Sequence, residues 1–154
     1  MGDLLIDEWI WADLNGDNDQ DRQRETYRFL QAVFNKCDRL VTVEGSKFMQ
    51  KSFNLWKQHD LMRKGIAKYL RSYFWYNSVK SRLVNKDALV QLNEPLYSKI
   101  NEDDHYLVQA YQFIGNTIII TTDHALKNIL DQHGIACRFR DEFVLEYLDK
   151  YGID

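Results

Sequence analysis

Residues 101–130 read NEDDHYLVQAYQFIGNTIIITTDHALKNIL, and this stretch decides the fold because it runs helix, strand, helix with carboxylates at both junctions. Leu107, Val108, Tyr111 and Ile114 recur on one face of a helical period and follow Asp103 and Asp104, which predicts a helix docked on a sheet. Gly115 and Asn116 stop it. Residues 117–122 are rich in β-branched side chains with an unbroken apolar centre, the pattern of a strand buried on both faces. Asp123 then lies where strand gives way to helix, the edge at which open α/β sheets bind ligands. Aspartate at a helix start is also a favoured N-cap, so Asp104 or Asp123 alone argues for little; the pair argues for a site.

Upstream, Leu4, Leu5 and Ile6 read as a short central strand that delivers Asp7 at its C-terminal end. Glu8 is adjacent, but successive strand residues face opposite sides, so both acids aim at one point only if the strand has already ended; Asp7, where the apolar run stops, is preferred. Residues 39–43, RLVTV, form a second strand followed at once by Glu44 and Gly45. Residues 21–34 read as an amphipathic helix with Tyr27, Leu30, Gln31 and Phe34 on one face, residues 135–139 as a strand, and residues 141–151 as a terminal helix with Phe143, Val144, Tyr147 and Leu148 inward. This alternation predicts a helix-rich α/β protein, a three-layer α/β/α sandwich with a mostly parallel central sheet and right-handed crossovers. Residues 13–21, DLNGDNDQD, have the composition of a calcium loop without its pattern: an EF-hand beginning at Asp13 would place glycine at Asn18 and glutamate at Arg24. They read as a solvated loop and helix start.

The 154 residues, 45% hydrophobic and 14% aromatic, suit one domain over residues 1–154, and a single proline with seven glycines leaves no linker to divide it. The N-terminus lacks a basic n-region, and no apolar run approaches the roughly 20 residues that span a bilayer, so a cytoplasmic protein without membrane contact is expected. Cys37 and Cys137 belong to no CxxC or Cys/His cluster, which argues against zinc and a disulfide and for buried thiols. The net charge of −3 conceals a segregation: residues 47–86 carry ten bases against one acid, Asp60. Residues 47–80 predict a long helical region, divided near His59 and Asp60 or at Gly65, in which the bases are interleaved with Phe48, Phe53, Trp56, Tyr69, Tyr73, Phe74, Trp75 and Tyr76. Most of these aromatics serve a core, while Lys47, Lys51, Lys57, Arg63, Lys64, Lys68 and Arg71 form a side suited to nucleic acid.

Asp7, Glu44 and Asp123 all fall at strand C-terminal ends, and Asp104 begins the helix that precedes the strand ending in Asp123. Four carboxylates gathered at one edge repel, and one or two divalent cations compensate; ligation by oxygen alone favours Mg²⁺ or Mn²⁺. With no cysteine nucleophile or serine–histidine pairing, these candidate catalytic and metal-binding acids suit metal-activated water, with the same or a second ion at the leaving 3′-oxygen of a phosphodiester.

Asp7, Asp104 and Asp123, with the helix DHYLVQAYQFIG and the segment IIITTD, resemble the PIN domain, a family of small metal-dependent ribonucleases. The likeness covers most of the chain in outline, and its specific part is the first strand and residues 101–130. The family places an acid about eleven residues before a helix-ending glycine, here Asp104 and Gly115, and then a strand ending in Thr-x-Asp, here Thr121 to Asp123. That spacing prefers Asp104, with Asp103 as its substitute. The resemblance implies a Mg²⁺- or Mn²⁺-dependent endoribonuclease acting on single-stranded or structured RNA, and frequent homodimerisation; a PIN-like module that binds RNA or a protein without turnover, or a toxin held by an antitoxin-like partner, are its other forms. Two departures stand out: Trp9 where the family often has a small polar residue, and Glu44 at the start of its helix rather than inside it, where Gln50 or Lys51 takes the usual place. Thr121 is positioned to hydrogen-bond a ligand or one of the acids. No residue plainly reads a 2′-hydroxyl, so DNA stays open as substrate.

Overall fold

Leu4, Leu5 and Ile6 are all buried, and they divide between two apolar clusters: Leu4 and Ile6 join one and Leu5 the other. Ile120 and Ile119 divide in the same way. A sheet with helices on both faces is the direct consequence of this alternation. The computed structural model describes residues 1–57 and 59–153. Its strands are β1 (Asp3–Ile6), β2 (Arg39–Val43), β3 (Ser81–Val84), β4 (Thr117–Thr121) and β5 (Cys137–Phe139), all parallel in the order β3-β2-β1-β4-β5. The helices are α1 (Trp9–Asn15), α2 (Gln20–Lys36), α3 (Lys47–Trp56), α4 (Leu61–Leu70), α5 (Leu96–Lys99), α6 (His105–Ile114), α7 (His124–Gln132) and α8 (Arg140–Tyr151). Buried residues of α1 to α4 and α8 pack with Leu4, Ile6, Leu40 and Ile120, while those of α6 and α7 pack with Leu5, Val41 and Ile119. The expected three-layer α/β/α sandwich is present, and the sheet is wholly parallel.

Several local expectations change. Strand β3 and helix α1 escape the sequence pattern: β3 buries only Val84 and leaves Leu83 exposed, and α1 is apolar on nearly every side. The inward side of α2 is Gln23, Thr26, Phe29, Leu30 and Val33, rotated from the face expected, with Gln31 exposed. The basic region divides where Asp60 caps α4 by accepting the Met62 amide at 2.8 Å, while Gly65 lies inside that helix; a π-helical turn, Arg71–Trp75, follows. Cys137 is buried as expected, but Cys37 is exposed in the left-handed position that ends α2. None of the described helices is long and apolar enough to cross a membrane.

The largest correction concerns Asp13. It is not a solvated loop residue: it is fully buried, accepting from Thr26 Oγ1 at 2.8 Å and pairing with Arg140 Nη2 at 3.0 Å. Arg140, itself 2% exposed, also meets Glu25 at 2.5 Å and lies over the Trp9 ring. One ion pair therefore fastens α1, α2 and α8 together. Removing one member of such a pair strands the other charge, so Asp13→Ala is expected to cost about 3–5 kcal/mol of folding free energy. Arg22→Ala, whose own side chain is 28% exposed and which leaves Asp13 paired with Arg140, is expected to cost under about 1 kcal/mol. Urea unfolding of the two variants checks the contrast.

Candidate metal centre

Strand order reverses beside β1: β2 and β3 lie on one side of it, β4 and β5 on the other. The C-terminal ends of β1 and β4 consequently border the crevice where such sheets bind ligands. The Asp7 amide donates to the Ile120 carbonyl at 3.0 Å, and the Trp9 indole donates to the same carbonyl at 2.9 Å, so the end of β1 is fixed against β4. The Asp7 carboxylate accepts from Thr121 Oγ1 at 2.6 Å and from the Glu8 amide at 2.6 Å. Because β1 ends at Ile6, Glu8 takes helical angles (φ −66°, ψ −9°) as the residue before α1, and both acids serve one point. Asp104 arrives from the short 3-10 turn Glu102–Asp104 that leads into α6. One carboxylate oxygen from each of Asp7, Glu8 and Asp104 lies within 4.8 Å of the others.

Glu8 thus stands where the sequence reading put Glu44. Glu44 is exposed, its amide bonded to the Val84 carbonyl at 2.9 Å, and it lies outside this group of acids. It follows β2 on the side of β1 away from β4, and Gly45, at φ 70°, turns the chain directly into α3. Asp123 caps α7, accepting the Leu126 amide at 3.0 Å, and neighbours the group without joining it. Asp103 is exposed and bonded to Lys47 at 2.5 Å, which leaves Asp104 as the inward acid.

Half-buried Asp104 is pushed up to about 6, first by burial and then by the charges of Asp7, Glu8, Asp123 and Asp103. Tyr106, two residues after it, is held far above the ordinary phenol range by burial and by Asp7, Glu8 and Asp104, and its buried hydroxyl has no hydrogen-bond partner among the described residues. Glu8 Oε1 is also buried without a hydrogen bond, although Lys51 Nζ stands 3.3 Å away as an ion pair. Burial and like charge act in the same direction on Asp104 and Tyr106. Asp7, Glu8 and Asp104 offer carboxylate oxygens alone, a donor set that would suit Mg²⁺ or Mn²⁺. A cavity of about 400 Å³ opens at the opposite edge of the sheet, but its acids Asp3, Asp38 and Glu146 are already paired, Asp3 with Arg39 and Arg82, Asp38 with Lys36 and Glu146 with Arg138.

The seven basic candidates divide. Lys51 and Lys47 sit at the rim of the acids, bonded as described. Arg63 is tied to the Asn15 carbonyl at 3.1 Å and to Asp60. Lys57 is exposed after α3. Lys64, Lys68 and Arg71 line a groove of about 410 Å³ with Trp56 and Tyr76, and the Arg71 guanidinium lies 5.3 Å from both rings. Sequence reasoning had the signal for Glu8, the stop of the apolar run at Ile6, and lacked any for Tyr106.

A carboxyl whose pKa is raised in the fold takes up its proton as pH falls through about 6, so the charged form destabilises the metal-free protein above that pH. Metal-free Asp104→Asn is therefore expected to exceed the wild type by about 1 kcal/mol at pH 7.5, after allowance for solvent screening, and to lose that advantage toward pH 4.5. Thermal melts in EDTA at the two pH values check this. Comparison of the chain with protein-family models and with curated proteins finds no match, so its resemblance to the PIN domain rests on the residues given above.

Proposed function

We propose that the protein is a metal-dependent endoribonuclease of the PIN type, holding Mg²⁺ or Mn²⁺ on Asp7, Glu8 and Asp104 with Asp123 beside them. The observation that carries this reading is the convergence of three acids from the end of β1 and the start of α6 at the reversal of strand order, with Asp104 pushed up to about 6 first by burial and then by the acids around it. When bound, the ion supplies activation of water and neutralisation of phosphate charge. The chain's own part is positional. Thr121 and the Glu8 amide fix both oxygens of Asp7, and Trp9 anchors the start of α1 to β4. Lys47 and Lys51 offer positive charge at the rim, and the groove of Lys64, Lys68 and Arg71 offers phosphate attraction and two aromatic faces further along the same layer. Two unpaired thiols, Cys37 and Cys137, suit the cytoplasmic setting of this reading.

A second reading, an RNA-binding PIN-like module without turnover, is favoured by one observation: Lys51 and Lys47 already neutralise Glu8 and Asp103. One experiment separates the two. Purified protein is incubated with labelled RNA and, in parallel, single-stranded DNA, with Mn²⁺, Mg²⁺ or EDTA. The nuclease reading expects RNA cleavage that EDTA abolishes. Asp7→Asn and Glu8→Gln each lower it about 100-fold or more, Thr121→Val about 10-fold, and Glu44→Gln leaves it unchanged. Filter binding of RNA is retained in all four variants. Cleavage that survives EDTA, or Asp7→Asn, overturns the nuclease reading; salt-sensitive RNA binding without cleavage establishes the second.

A further inference from the structure

Helix α2 meets different neighbours on its two sides. Arg22, Glu25 and Phe29 reach α8, through Asp141, Arg140 and the rings of Phe143 and Tyr147. Tyr27, two positions from Phe29 and so about 200° around the helix, meets Tyr69 of α4 with ring centroids 5.1 Å apart. Between α2 and α4 the surface opens into a groove of about 570 Å³, where Arg24, Tyr27 and Arg28 face Met62, Gly65 and Ile66. Its lining is mainly apolar, with Met62 59% exposed, and no described acid borders it.

Gly65 keeps this groove open. It lies inside α4, where glycine weakens a helix, and neither crowding nor a left-handed backbone requires it: a Cβ there would meet nothing within 4 Å, and its φ is not positive. The fold gains nothing from the missing side chain, whereas a body laid between α2 and α4 gains close approach to the backbone. Charge specifies that body. Arg24 has only the exposed Asp21 at 3.8 Å, and Arg28 joins no ion pair among the described residues, so the rim is complementary to carboxylates about one helical turn apart.

The chain itself carries such a body. On the exposed side of α8, Glu142, Leu145 and Asp149 share one helical face, with Leu145 69% exposed. Asp141 and Glu146 are paired with Arg22 and Arg138, but Glu142 and Asp149 join no ion pair among the described residues. Groove and acidic face complement each other, apolar to apolar and base to acid, and they belong to helices on opposite sides of α2. We infer that two copies of the chain associate about a two-fold axis along α2, each laying the Leu145 face of its α8 in the α2–α4 groove of the other. Half a turn about such an axis exchanges the two sides of α2, so both contacts form at once and the assembly closes as a dimer. This helix-in-groove contact uses none of Asp7, Glu8 and Asp104 and is independent of the nuclease reading.

Sedimentation velocity of the full chain in low salt, from about 1 to 100 μM, tests the contact. The wild type is expected to pass from a monomer of 18.4 kDa to a dimer and no further. Gly65→Phe sets a ring in open space within the groove and is expected to weaken the dimer about tenfold or more while circular dichroism stays that of the wild type. Arg24→Glu with Arg28→Glu, and separately Glu142→Lys with Asp149→Lys, set like charges against each other in both contacts and are each expected to give monomers. Mixing these two double variants puts every charge opposite its complement and is expected to restore a dimer, a result that decides the matter even where Gly65→Phe fails to fold. A wild type that stays monomeric throughout the range leaves the groove to another partner and overturns the inference, as does a dimer indifferent to Gly65→Phe or to either charge reversal. Oligomers that keep growing with concentration, or a mixture of the double variants that stays monomeric, overturn the two-fold arrangement.

Discussion

The pairing of β1 with β4 is the constraint on which the rest of the molecule depends. It places strands on both sides of β1, reverses the strand order there, and brings Asp7 against Thr121 across 114 positions of sequence. The hydroxyl of Thr121 donates to Asp7 at 2.6 Å in a buried setting, and the Ile120 carbonyl accepts from both the Asp7 amide and the Trp9 indole. Five groups that would otherwise compete for water are satisfied at one strand end. With Asp7 fixed, Glu8 and Asp104 have a stationary centre to meet.

The buried acids of this protein fall into two kinds, separated by what faces them. Asp3 is held below the ordinary carboxylate range: burial would raise it, but Arg39 and Arg82 outweigh that. Asp38 is likewise lowered against its burial by Lys36, Tyr147 and the Gly2 amide, and Asp13 is closed off by Arg140. These acids bind the N-terminal strand ends and the helical layer together, and their charge is spent inside the fold. Asp104 moves in the opposite direction: burial raises it first, and its acidic neighbours add to that instead of opposing it. Lys47 and Lys51, with side chains close to half exposed, stand at the rim and answer only part of that charge. The two directions of shift separate acids closed off by bases from one that is surrounded by other acids.

The sequence by itself determined the layered α/β class, four of the five strands, the helix ended by Gly115, and the presence of Asp7 and Asp104 at strand and helix ends, because apolar periodicity and breaker residues act within a few positions of one another. It also located the basic side and, as one of two candidate breaks in it, the region of Asp60. Tertiary structure alone decided that Glu8, and not Glu44, meets Asp7: the choice turns on the backbone angles of one residue after Ile6 and on which strand becomes the neighbour of β1. It likewise decided that Asp13 is a buried partner of Arg140, 127 positions away, and that β3, too short and polar to announce itself, completes the sheet beside β2. Pairings at that separation are set by the packing of whole layers, and no local spacing encodes them.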